Sequence, residues 1–314
     1  MLTLDRNIIR RLFKADETRF YIGVGLKVVG LSLLIQFFIY YFIYQILKIY
    51  HSFFLSQGFP EIEDTPFYDF LLPEAMEGIG VMLLSHFFLF FLGVYIGWLI
   101  LRPFRELAYY CEHAIENKNL EYHTDDFSTY KLLTRYSEFF VEYLRECRRK
   151  EKLQTQTIPP QYQKVHHPTI DKLFIFHLAF LIIIISLTNA AFIIEISTSA
   201  YESLINLALD NLKRNHEVTK FFSYQSFVMS EITNLTVVLT VVSYLTLAIH
   251  LYKKISGAGF AIFSTMRSFM KGNYSARVHM LGFPYIRNYS RLINKYLDFM
   301  QKNYDPGSFN SSEE

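Results

Sequence analysis

Charge is scarce in this sequence: Asp, Glu, Lys and Arg make up 19% of its 314 residues, against roughly one quarter in a soluble domain. Cysteine is scarcer still. Cys111 and Cys147 stand alone, which excludes a disulfide scaffold and a multi-cysteine zinc or iron–sulfur centre. Neither sign of charge dominates, with 31 Lys and Arg against 29 Asp and Glu. No basic field therefore exists to hold a phosphate backbone, and nucleic acid is not expected as a partner. Nucleophile motifs, phosphate-binding glycine loops and paired-carboxylate patterns are also missing, so the expectation is a non-enzymatic protein with no catalytic residue and no cofactor. What is plentiful is apolar surface: 51% of residues are hydrophobic and 18% aromatic, which points to a membrane.

Four stretches without Asp, Glu, Lys or Arg reach the length of about 20 residues that crosses a hydrocarbon core. They are residues 28–47, 78–101, 173–194 and 232–252, each closed by charged residues. The first is too long for a secretory signal and lacks a small-residue cleavage site, so it reads as an anchor. The orientation follows from the loops. Arg6, Arg10, Arg11, Lys14 and Arg19 precede the first span, whereas residues 49–77 contain no Lys or Arg but hold Glu61, Glu63, Asp64, Asp69, Glu74 and Glu77. Arg102 and Arg105 follow the second span, and Lys253 and Lys254 the fourth. Both termini are thus expected in the cytoplasm. The outer segments, 49–77 and 195–231, read as too short for a folded sensory domain.

The chain reads as two copies of one unit. Leu133, Tyr136, Phe140, Tyr143 and Cys147 overlay Ile286, Tyr289, Ile293, Tyr296 and Met300 at an offset of 153 residues. Nearer the membrane, Phe104, Leu107, Cys111 and Ala114 answer to Gly259, Ile262, Met266 and Phe269. The alternating spacing of three and four is that of a heptad seam. The expected boundaries are a cytoplasmic segment 1–19, a two-span unit 20–101, a helical pair 102–150, an extended linker 151–171, a second two-span unit 172–254, a second helical pair 255–303 and a polar tail 304–314. Asn117, Lys118 and Asn119 punctuate the first pair, and Gly272 and Asn273 the second, since Gly and Asn tolerate the left-handed turns that end helices.

The segment from Ile255-Ser256-Gly257-Ala258-Gly259 through Lys271-Gly272-Asn273 and Val278 to Asn294 resembles the HAMP domain of bacterial transmembrane receptors and sensor kinases. Gly257, Gly272, Val278 and Asn294 match that family's pattern, whereas Ala258 replaces its proline and Asn273 its aspartate. In the first half Pro103 keeps the proline. The acidic pair that opens the family's second helix is missing from both copies. The resemblance implies a parallel four-helix bundle to which two subunits each give two helices, and two such units in one chain imply either a pseudo-dimeric monomer or a homodimer. The linker is long enough for the former. Ile158-Pro159-Pro160 and His167-Pro168 favour extended chain, and its 19 residues from 153 to 171 reach about 60 Å, against ~24 Å for a seam helix.

Polar residues in the spans are candidate sites, because they are costly there. His86, His177, Asn189, Asn234 and His250 read as helix-to-helix hydrogen bonding or interfacial anchors, and Gly93 and Gly97 as a small-xxx-small packing pair. His113, His123, His166 and His167 lack the spacing of metal ligands on one face, so no metal is expected. The acidic outer loop reads as solvated surface.

The expectation is therefore an all-α polytopic membrane protein with four transmembrane helices and two cytoplasmic HAMP-like helical pairs. It would lie in a bacterial inner (plasma) membrane among its lipids. Because the sequence stops soon after the second pair, an output domain is expected elsewhere. The function expected is relay of transmembrane helix motion to a separate cytoplasmic or membrane protein partner. The rival readings are a structural or assembly subunit of a cell-envelope complex, and a small channel or transporter, for which no mid-membrane charge marks a path.

Overall fold

The structure is a computed structural model and describes residues 16–56, 64–117, 120–122, 133–165, 172–211 and 216–305. Among these, every regular element is a helix: α1 (Asp16–Ser56), α2 (Asp64–His113), α3 (Thr134–Arg149), a single-turn α4 (Pro160–Gln163), α5 (Lys172–Asn211), α6 (His216–Met270), a 3-10 turn (Pro284–Ile286) and α7 (Arg287–Tyr304). Four of them, α1, α2, α5 and α6, are long and apolar enough to cross a membrane.

These four helices, of 41, 50, 40 and 55 residues, are about 60 to 80 Å long at ~1.5 Å per residue, against a hydrocarbon core of ~30 Å. The outer segments are accordingly not plain loops. Helix continues to Ser56, resumes at Asp64, runs on to Asn211 and resumes at His216. Charged residues end an apolar run without ending a helix, because Glu and Lys are good helix formers. Pro103 lies inside α2, which continues through it although its ring removes one backbone donor.

The chain divides into two units. One comprises Val24–Val94 and Phe180–Leu247, and α1 is its hub. A Cβ added at Gly93 of α2 would sit 2.8 Å from the Cα of Gly25 and 3.1 Å from a methyl of Val28, so the absence of a side chain at Gly93 is what lets the two backbones meet. Gly97 is buried on the same helix. Against α5, the Ser32 hydroxyl donates to Asn189 Oδ1 at 2.8 Å in a buried setting. Against α6, the Tyr244 hydroxyl donates to the Val28 carbonyl at 3.3 Å, while Phe53 stacks on Phe221 at 3.8 Å and Tyr50 lies 5.6 Å from Phe222. Rising numbers on α1 thus meet falling numbers on α6, and the two are antiparallel. Phe37, Leu84, Leu187 and Leu239 point outwards, as side chains in contact with lipid do.

The other unit comprises the described residues of Met1–Gly23, Tyr95–Ala179 and Ala248–Glu314. It contains the end of α2, all of α3, α4 and α7, and the end of α6.

Candidate functional site: a bundle made from both halves

α3 and α7 are amphipathic in the same register. α3 buries Tyr136, Ser137, Phe140, Tyr143, Leu144 and Cys147, and α7 buries Tyr289, Ser290, Ile293, Tyr296, Leu297 and Met300, each 153 positions on. Leu133 and Ile286, which precede these helices, are fully buried as well. The end of α2 buries Pro103, Phe104, Leu107, Cys111 and Ala114. The end of α6 buries Gly259, Ile262, Met266 and Phe269. All these apolar rows are therefore withdrawn from water, which is the main term holding such a bundle together.

The rows of the two halves meet each other. The Tyr136 ring lies 4.6 Å from that of Phe263, and the Phe140 ring 6.2 Å from that of Phe269. Between them, the Ser137 hydroxyl points at the Met266 sulfur, 3.9 Å away. Numbers rise together, so α3 and α6 run parallel. Tyr110 of α2 meets Tyr296 of α7 at 6.1 Å, while Arg148 touches both the Ala114 carbonyl and the Phe299 ring. α2 and α7 thus run the same way. Tyr285, just before α7, donates its hydroxyl to the Lys254 carbonyl at 3.1 Å. At the other end, the Leu153 and Gln156 amides donate to the Tyr304 and Met270 carbonyls at 2.7 and 3.0 Å. α6 and α7 are therefore parallel too.

Parallel neighbours need a connector that climbs back, and the second one is held at its middle. Asn294 Oδ1 accepts from the Val278 amide at 2.8 Å, and its Nδ2 donates to the Val278 carbonyl at 2.9 Å. Val278 itself is buried. Gly272, at φ +99°, provides the left-handed step that ends α6, and Asn273 donates from Nδ2 to Ser268 Oγ at 3.2 Å. Below Val278, Arg277 bonds Asp298 Oδ1 at 2.6 Å and also reaches Gln301.

The first half uses the same two helix positions with the opposite chemistry. Arg145 and Arg148 stand where Asp298 and Gln301 stand in the second half, and they donate to the carbonyls of Leu120, Ala114 and Ile115. Ala114 and Ile115 lie in the turn that follows α2, and Leu120 lies in the connector beyond it. In one copy a connector Arg seeks acceptors on the helix; in the other, helix Args seek carbonyls on the connector. Val141 takes the place of Asn294, and its side chain carries no amide with which to make such a pair of bonds.

The linker packs on the bundle rather than spanning open water. Leu153, Ile158 and Tyr162 are buried, and Tyr162 lies 4.9 Å from Tyr136. It is not extended throughout: Pro160 starts the single turn of α4, a position where proline's fixed φ and missing donor suit a helix. Arg267 secures that turn, donating to the Val165 carbonyl at 2.6 Å and reaching those of Tyr162 and Gln163.

Burial pushes the phenols of Tyr136, Tyr143, Tyr289 and Tyr296 well above their ordinary value, and likewise raises the Cys147 thiol. Cys111 and Cys147 are both free and buried. Among the described residues no cluster of His, Cys, Asp and Glu is arranged to hold a metal. His113 is exposed, with Nδ1 2.9 Å from the Tyr109 carbonyl, and His86 is buried with Nδ1 2.7 Å from the Met82 carbonyl. Asn234 is exposed. Lys118, Asn119, His123, His166, His167, Glu61, Glu63 and the basic residues before Asp16 lie outside the described residues.

Sequence reasoning passed over Gln36, which is buried on α1 with neither amide atom hydrogen-bonded among the described residues; an amide within an apolar run was the available signal. It also passed over Arg145, Arg148, Arg267 and Arg277, whose partners are backbone carbonyls or distant side chains that no spacing rule reveals.

Comparison with known protein families, with curated proteins and with solved structures returns no match.

Proposed function

We propose that this is a non-enzymatic membrane signalling or regulatory protein. Its HAMP-like helices form one four-helix bundle from the two halves of a single chain, a pseudo-dimer. Motion of the spans repacks this bundle, and a separate protein reads the change. The observation that carries the reading is the meeting of Tyr136, Ser137 and Phe140 with Phe263, Met266 and Phe269 along parallel helices. Two further features support it. Asn294, Val278, Gly272 and Gly257 occupy the positions that the family resemblance singles out, and the Asn294–Val278 clamp gives two of them a physical task. α2 and α6 are each one unbroken helix from an apolar stretch into the bundle, so a shift of either span is carried along a continuous hydrogen-bond ladder. A relay also requires two packings of similar energy, and the unlike clamps of the two connectors supply an asymmetry on which such a choice can act. The family resemblance implies a bacterial inner membrane, and the distribution of Lys and Arg implies that both chain ends are cytoplasmic.

The test pairs a seam variant with a packing readout. Ile293 is almost fully buried, so Ile293→Asp repacks the bundle, while Ile293→Leu serves as a control. Cysteines at Ser137 and Met266, with Cys111 and Cys147 replaced by alanine, report the packing through oxidative cross-linking in native membranes. The expected result is an intrachain cross-link that Ile293→Asp reduces several-fold, together with a change in the proteins co-purified from those membranes. A cross-link that falls while the captured partners and cellular output stay unchanged defeats the relay. A stoichiometric partner retained whatever the seam packing would instead favour an envelope scaffold.

A further inference from the structure

We propose that the turn of residues 279–285 docks on the bilayer, among the lipid headgroups of the leaflet where α6 emerges. The inference requires α6 to cross a membrane but not that the bundle signals. Leu281 is 92% exposed, the most open of the large apolar side chains described. It sits at the tip of a reversal that Gly282 permits at φ +85°, with Phe283, Pro284 and Tyr285 following.

The packing of this turn fixes its height. The Phe283 ring comes within 3.4 Å of where a Cβ on Gly257 would lie, the Tyr285 hydroxyl reaches the Lys254 carbonyl, and the Tyr285 ring stacks on Phe20 at 4.5 Å. The apolar run of α6 ends at Tyr252. Five residues of helix from there to Gly257 rise about 7 Å, and a headgroup layer is ~5–7 Å deep on each side.

The charge around the turn suits a lipid surface. His279, Arg287 and Arg291, near it along the chain, and Lys253, next to the Lys254 that Tyr285 contacts, are exposed, and Trp98, with Arg102 and Arg105 at 5.3 and 4.8 Å from its ring, marks a basic aromatic belt on α2. Aromatic and basic residues of this kind collect at membrane interfaces, and clustered cations favour anionic lipids. A leucine at the tip then adds the apolar contact that lipid offers and water does not.

The experiment places a single environment-sensitive fluorophore on Leu281→Cys in proteoliposomes of phosphatidylcholine with or without phosphatidylglycerol. Nitroxide lipids labelled at the headgroup or at acyl carbon 5 serve as quenchers. The buried Cys111 and Cys147 give the labelling background in the unsubstituted protein. Lys302→Cys, exposed at the far end of α7, is the aqueous control, and Leu239→Cys, outward-facing within the fourth span, is the membrane control. The expected result is lipid quenching at Leu281 at least twofold above that at Lys302, stronger with phosphatidylglycerol. Quenching by aqueous iodide equal to that at Lys302, without lipid quenching, overturns the proposal. Shielding from both quenchers also overturns it and assigns the turn to a protein contact. Absence of lipid quenching at Leu239 would remove the membrane crossing on which it rests.

Discussion

Asn294 holds the connector by both backbone groups of the buried Val278, an arrangement that only a side chain carrying an acceptor and a donor in one plane can make. Replacing it with alanine leaves the Val278 amide and carbonyl without those partners, and the loss should be about 2 kcal/mol of bundle stability. Asn294→Asp keeps the acceptor but not the donor, and should fall between the two. The measurement is denaturant or thermal unfolding in detergent, read by circular dichroism; an unfolding midpoint unchanged in Asn294→Ala would remove the clamp from this account. Asn294 was legible in the sequence through its motif. The arginine clamps were not, because an arginine that caps a helix end through space looks in one dimension like any surface cation.

At the scale of elements, the approach of α1 and α2 turns on one missing side chain. A methyl at Gly93 would come within 2.8 Å of the Gly25 backbone, and backbone cannot swing aside as a side chain can. Gly93→Ala should therefore push the helices apart and cost roughly 1–3 kcal/mol, the range for overpacking a tight contact. Gly30→Ala meets nothing within 4 Å and should be neutral or slightly stabilising, since alanine is the better helix former. Comparison of the two variants' resistance to thermal unfolding separates packing from propensity; equal behaviour would count against the close contact. The sequence exposed the Gly93 and Gly97 spacing but not the partner. It also showed where each apolar run stops, and the helices run on past those stops. The helical extensions beyond them carry no apolar run, so in one dimension they read as loops.

At the scale of the molecule, the bundle's stability should depend on alkaline pH. Burial raises the phenols of Tyr136, Tyr143, Tyr289 and Tyr296, so in the folded state they stay protonated where an unfolded tyrosine ionises, near pH ~10. A group whose folded value is raised contributes stability that is fully present below the unfolded value and is lost as pH climbs towards the folded one. The unfolding midpoint should thus be flat from about pH 7 to 9 and fall above about pH 10. The double variant Tyr143→Phe with Tyr296→Phe should show a shallower fall, whereas an identical slope would place the alkaline sensitivity in other groups.

Those tyrosines also mark the boundary between the two kinds of information in this chain. Four membrane-length runs and the faces of the seam helices are legible in one dimension, because burial with a period of three and four is a local pattern written residue by residue. The tertiary structure alone brings Tyr136 and Phe140 against Phe263 and Phe269, sets Arg267 on the carbonyl of Val165, and turns Arg145 and Arg148 towards backbone carbonyls while Arg277 reaches Asp298. The first two pairings join residues more than a hundred positions apart, the last residues 21 to 34 apart. Nothing in the local pattern says which seam row lies against which; the ring contacts of Tyr136 and Phe140 with Phe263 and Phe269 do.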